Sequence, residues 1–123
     1  MPIKNNNMEY TLIAEKTFIE GTIEVEGNIR IDGRLKGKLV VKGNLTIGKT
    51  GIIEAEVEAD NCVLAGKITG NVTIKNKMEI EEKAVLIGDL KTRELIINEK
   101  AIFNGFCKMI ENPQEVEKTF NTK

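Results

Sequence analysis

From Ile23 onward, apolar and polar residues alternate with a period of two. Ile23 and Val25 are followed by Ile29 and Ile31, then Leu35, Leu39 and Val41, then Leu45 and Ile47. Successive strand side chains point to opposite faces, so this pattern predicts strands with one buried face. The apolar set is mostly Ile, Val and Leu, and its β-branched members favour strands. No 3.6-residue period survives across this region, so no helix is expected there. Glycine punctuates the pattern: all 11 Gly lie between Gly21 and Gly105, while the two prolines, Pro2 and Pro113, lie outside.

The alternation is organised in repeats. Residues 29–37 (IRIDGRLKG) recur as 62–70 (CVLAGKITG), 33 residues later, and 45–57 recur as 78–90 at the same distance. Subdivision gives six units starting at Thr11, Ile29, Leu45, Cys62, Met78 and Leu95, spaced 18, 16, 17, 16 and 17. Aligned, they form columns of constant size. One column reads Ile19, Leu35, Ile53, Ile68, Leu86, Phe103. Two residues on, every member is tiny: Gly21, Gly37, Ala55, Gly70, Gly88, Gly105. Two further on stand Ile23, Leu39, Val57, Val72, Leu90, Cys107, and a third large apolar column runs Ile13, Ile31, Ile47, Leu64, Ile80, Ile97. Turn residues or polar pairs such as Gly27-Asn28, Gly43-Asn44 and Asp60-Asn61 precede the units, and Gly, Asn and Asp accept the left-handed backbone of tight corners.

Size-matched columns imply equivalent residues stacked directly above one another, which a 16–17-residue coil of three short strands per turn provides. The predicted fold is therefore all-β, a single-stranded parallel β-helix of about six rungs over residues 11–110. At ~4.8 Å per rung the rod is roughly 25–30 Å long. The tiny column is expected where a narrow triangular interior leaves no room for a side chain. An antiparallel sandwich also has regular turns, but it gives no reason for size-matched columns at this period. Residues 1–10 read as a flexible polar tail. Residues 111–123 read as a second tail, with Asn112, Pro113 and Glu115 compatible with a short capped helix.

The stretch TLIAEKTFIEGTIEVEGNIRIDGRLKGKL (11–39), with its I-E-G step before a G-N-I-R-I-D-G-R-L-K-G rung, resembles the bactofilins, and so does the closing AIFNGFCKM (101–109). The resemblance covers residues 11–110. It implies a right-handed β-helix that polymerises without nucleotide into cytoskeletal filaments, often at the inner membrane. It also implies membrane contact through a short N-terminal tail, where Met1 and Ile3 are the apolar residues among the first seven.

Composition narrows the function independently. Lys plus Arg is 18 and Asp plus Glu 19, a formal net charge of -1, without the basic surplus of a dedicated nucleic-acid binder. Aromatic residues are 4%, too few for base-stacking platforms. There is no His, which removes the commonest general base and most catalytic zinc sites. No apolar run approaches a membrane span or the core of a signal peptide. Neither metal nor cofactor is expected. Cys62 and Cys107 are expected to be small buried side chains, too far apart to bridge and suited to a reducing cytoplasm.

Polymerisation also follows from the residues alone. A solenoid's end rungs expose unpaired backbone groups over an apolar core unless they are capped. The first rung offers Ile13, Phe18, Ile19 and Ile23, and the last Leu95, Ile97, Ile102, Phe103 and Phe106; all but Ile23 form the expected assembly surface. Phe106 stands out, because its column otherwise reads Thr22, Lys38, Glu56, Asn71, Asp89. Glu54, Glu56 and Glu58 alternate outward on one rung, but Lys36 and Lys38 precede two of them by one rung, which points to cross-strand charge pairing rather than paired catalytic acids. Asn28, Asn44 and Asn61 read as a corner ladder.

The expected function is thus a structural protein whose partner is itself, in the cytoplasm or at the inner face of the membrane, with cell-wall or localisation proteins as further candidate partners. The alternatives are a β-helix enzyme and a carbohydrate- or cell-wall-binding module. Hexapeptide acyltransferases and γ-type carbonic anhydrases use six-residue periods and essential His, and this chain has neither. Ice-binding solenoids want stacked threonines, and Thr46, Thr69 and Thr73 fall in different columns.

Overall fold

The computed structural model describes residues 10–110. Among these there is no helix, and twelve strands follow one another: β1 (Tyr10–Ile13), β2 (Phe18–Glu26), β3 (Asn28–Ile31), β4 (Arg34–Lys42), β5 (Asn44–Ile47), β6 (Ile52–Leu64), β7 (Lys67–Thr69), β8 (Val72–Ile80), β9 (Val85–Ile87), β10 (Leu90–Ile97), β11 (Ile102–Asn104) and β12 (Cys107–Met109). Every pairing is parallel, and each rung pairs with the next, so the chain winds into a β-solenoid of about six turns.

Three faces result. The first stacks β1, β3, β5 and the C-terminal ends of β6, β8 and β10. The second stacks the starts of β2, β4 and β6 with β7, β9 and β11. The third stacks the remainders of β2, β4 and β6 with the starts of β8 and β10 and with β12. The unit starts fall in strict register, Thr11 on Ile29, Ile29 on Leu45, Leu45 on Cys62, Cys62 on Met78 and Met78 on Leu95. The large apolar columns are likewise the interior, with Leu35, Ile53, Ile68 and Leu86 among the fully buried side chains.

The uneven spacing of the repeats has a local cause. The corner between first and second faces takes four residues at 14–17, 48–51, 81–84 and 98–101, but two at 32–33 and 65–66. The corner between third and first faces loses one residue after Ala59 and after Thr92, where the register shifts. Three four-residue corners hold a lysine in the left-handed region, Lys16, Lys83 and Lys100. These corners close with an i to i+3 backbone hydrogen bond, as when Ala84 N–H donates to the Glu81 carbonyl at 3.1 Å. The Asn ladder is present: the Asn28 side-chain oxygen accepts from the Asn44 backbone, and the Asn61 amide donates to the Asn44 side-chain oxygen at 2.9 Å.

The tiny column needs a different explanation from a cramped interior. Gly21, Gly37 and Gly105 are exposed, and Gly37, Gly70, Gly88 and Gly105 have φ between 131° and 148°. A Cβ on Gly70 would overlap the carbonyl of Ala55 in the rung before, and one on Gly88 the carbonyl of Gly70. The column is a backbone-on-backbone corner between second and third faces. Among the described residues one interior position is polar: Thr92 is fully buried, and its hydroxyl donates to the Glu94 carbonyl at 3.0 Å.

Candidate assembly interface

A middle rung has a neighbour on each side. The first and last rungs have one among the described residues, and most of their apolar side chains are less buried than their partners one rung away, Ile13 and Ile110 excepted. On the first rung Ile19, Ile23 and Val25 are half-buried, whereas Leu35, Leu39 and Val41, their partners one rung on, are buried. On the last rung Leu95 and Phe103 are half-buried, and Ile97 and Met109 are each 46% exposed. Their partners one rung back, Met78, Leu86, Ile80 and Thr92, are fully buried. The last rung is the more open end.

The eight expected assembly residues divide by direction. Ile19, Leu95, Ile97 and Phe103 point into the rod axis and are presented end-on. Ile13 points the same way but is already buried, so it offers little surface. Phe18, Ile102 and Phe106 point outward, at 58%, 55% and 80% exposure. Phe18 and Ile102 head opposite ends of one outward column on the second face, and the Arg34 guanidinium lies 5.6 Å from the Phe18 ring centroid. Phe106 sits above Asp89, its carbonyl accepting from Leu90 N–H at 2.8 Å. Met1 and Ile3 lie outside the described residues. Sequence reasoning missed Met109 and Val25, although both continue one interior column of the repeat.

Cys107 corrects the expectation of two buried thiols. It occupies the interior column above Leu90, but no rung follows among the described residues, and it is exposed, with its sulfur 3.7 Å from that of Met109. Cys62 is buried, and burial pushes its thiol up to about 12 from the ordinary 9.0. Burial also raises the Cys107 thiol. Burial thus keeps Cys62 as the neutral thiol near neutral pH and out of reach of reagents. In dilute folded protein, a maleimide is therefore expected to modify one thiol per chain, at Cys107, and two in guanidinium. Two thiols reacting in the folded state would show that the Cys62 site opens.

The acids of β6 sit as expected in register, Glu54 beside Lys36 and Glu56 beside Lys38. Among the described residues no group of three His, Cys, Asp or Glu is placed to hold a metal ion, and no helix is long and apolar enough to cross a membrane.

An open-ended parallel β-solenoid whose terminal rungs present its own core defines a class of structural proteins able to associate through their ends. The sequence profile of one such family, the polymer-forming cytoskeletal bactofilins, matches residues 11–108, and the chain belongs to that family. It is 33% identical over 102 residues to bactofilin BacO of Myxococcus xanthus, covering 83% of this chain and 81% of that one. Bactofilin BacP of the same organism is 24% identical over 105 residues, and there the match spans only 44% of the relative's length. Among solved structures, the Thermus thermophilus bactofilin, reconstructed as double helical filaments, has a TM-score of 0.70 at 28% identity, covering 79% of this chain and 98% of that one. The cytoskeletal bactofilin BacA, determined by solid-state NMR, has a TM-score of 0.75 at 29% identity, covering 83% and 97%.

Proposed function

We propose that this bactofilin assembles end to end, without nucleotide, into filaments that serve as a scaffold for cell shape or for placing other proteins. The observation that carries the reading is the exposure of interior columns on the terminal rungs. Covering Ile97, Phe103 and Met109 with a second rung removes apolar surface from water at about 25 cal/mol per Å² and satisfies the unpaired strand edge in one step. The double helical filaments of the Thermus relative support it. The role is structural rather than catalytic in this reading, and the filaments lie in the cytoplasm. Contact with the inner membrane would fall to Met1 and Ile3. Two such side chains contribute at most about 3–6 kcal/mol by burial, so stable attachment would depend on the many copies in a filament.

Purified protein is expected to pellet equally with and without ATP or GTP, and its Cys107 is expected to react with maleimide at least tenfold more slowly in the pelleted fraction than in dilute monomer. A nucleotide requirement, or a Cys107 rate unchanged on pelleting, would overturn end-to-end assembly through the last rung.

A further inference from the structure

The third face carries its charge unevenly along the rod. On rungs one to three its outward side chains include five acids, Glu24, Glu26, Glu56, Glu58 and Asp60, against two bases, Lys38 and Lys42, which leaves −3. On rungs four to six the balance inverts: Lys75, Lys91, Arg93 and Lys108 against Asp89 leave +3. The other two faces show no such split among the described residues. On the second, Glu20 and Glu54 offset Arg34 and Lys36, and Lys67 stands alone. On the first, Arg30 in one half faces Lys77, Glu79 and Glu94 in the other.

We propose that the third face is a lateral docking surface for a second copy of this chain lying antiparallel, so that two filament strands associate side by side. A two-fold axis along the strand direction sets rung one opposite rung six, two opposite five and three opposite four. Every acidic half then meets a basic half. Glu24 falls opposite Lys108, Lys38 opposite Asp89 and Asp60 opposite Lys75. Lys42 opposite Arg93 is the one like-charged match. Parallel in-register pairing instead sets acid on acid along one half and base on base along the other.

The size of the face says when pairing occurs. Five residues of strand by six rungs is a footprint of roughly 450–500 Å² per subunit, well short of the ~800 Å² per partner of a stable interface. Two isolated rods therefore stay apart, and the contact becomes effective when polymerisation repeats it along a strand. This proposal rests on the end-to-end reading above. The two differ in their response to salt, because the end contact is apolar while the lateral contact lies among exposed charges that ionic strength screens.

The test compares pelleting with negative-stain filament width at about 20 mM and 500 mM NaCl. Wild type is expected to show paired strands at low salt and single strands at high salt, with the pelleted fraction unchanged. Lys75→Glu with Lys91→Glu, both away from the end rungs, turns the basic half acidic and is expected to leave single strands at low salt. Adding Asp60→Lys with Val40→Lys sets a base opposite each new acid in this register and is expected to restore pairing. Wild-type polymer that stays single at low salt would overturn the lateral proposal while leaving end-to-end assembly standing. Pairing that survives the first double variant would overturn it too and place the contact on another face. No pellet under any condition would overturn the end-to-end reading and the lateral one with it.

Discussion

Replacing Phe106 by arginine is expected to leave a folded monomer that no longer forms filaments. At 80% exposure the ring packs into no core, so truncating or replacing it costs the fold little. Asp89 lies beneath it in the same outward column, and an arginine there would gain a cross-strand charge partner worth about 0.2–1 kcal/mol. The cost falls on assembly. Drawn into an apolar contact the guanidinium loses its water, and the single Asp89 carboxylate one rung away offsets that only in part. Association therefore weakens by about 3 kcal/mol, more than a hundredfold. The β-rich circular dichroism should be unchanged, and size exclusion should shift from void-volume polymer to monomer or small oligomer. Asn71→Arg, in the same column at mid-rod, should assemble normally and controls for charge alone. Filaments persisting in Phe106→Arg would move the contact to the first rung, with Ile19 and Phe18. Loss of the β signal would place Phe106 in the core.

Gly70→Leu should have the largest effect on stability. Gly70 sits at φ +140°, a conformation that L side chains rarely adopt, and its Cβ would overlap the carbonyl of Ala55. The backbone term is about 1–3 kcal/mol and the packing term a further ~1–3. Together they lower the melting temperature by at least about 10 °C in a domain of this size. The same change at Gly21 is informative by contrast. Gly21 shares the conformation, at φ +140°, but nothing lies within 4 Å of its Cβ position, and among the described residues no rung precedes it. Gly21→Leu should therefore incur the backbone cost alone. If the two variants melt together, the rung-on-rung overlap is not what keeps this column small.

Much of the molecule was legible in the chain because a solenoid repeats its local chemistry. Ile31, Ile47, Leu64 and Ile80 are interior for one reason, stated again at each rung, so alignment of the units was enough to recover both the period and the registered columns. The outward position of Phe106 followed in the same way from the five polar residues of its column. The lysine corners were not legible. Lys16, Lys83 and Lys100 owe their left-handed backbone to turn closure rather than to residue type.

Burial, by contrast, depends on whether a further rung exists, and a column cannot state that about its own last member. Leu90 and Cys107 occupy the same interior line, yet one is buried and the other exposed, because among the described residues no rung lies above Cys107. Column size alone also could not tell a tight interior from a tight corner; only the positive φ and the facing carbonyls make Gly70 a corner. The sign of the third face was equally hidden, since the charges that share it lie up to five rungs apart along the chain. The amino-acid order determined the period, the strands and which side chains point inward. The tertiary structure decided which of those inward side chains lack a neighbour, because that depends on where the stack ends, and it is there that the interior is open to a second copy.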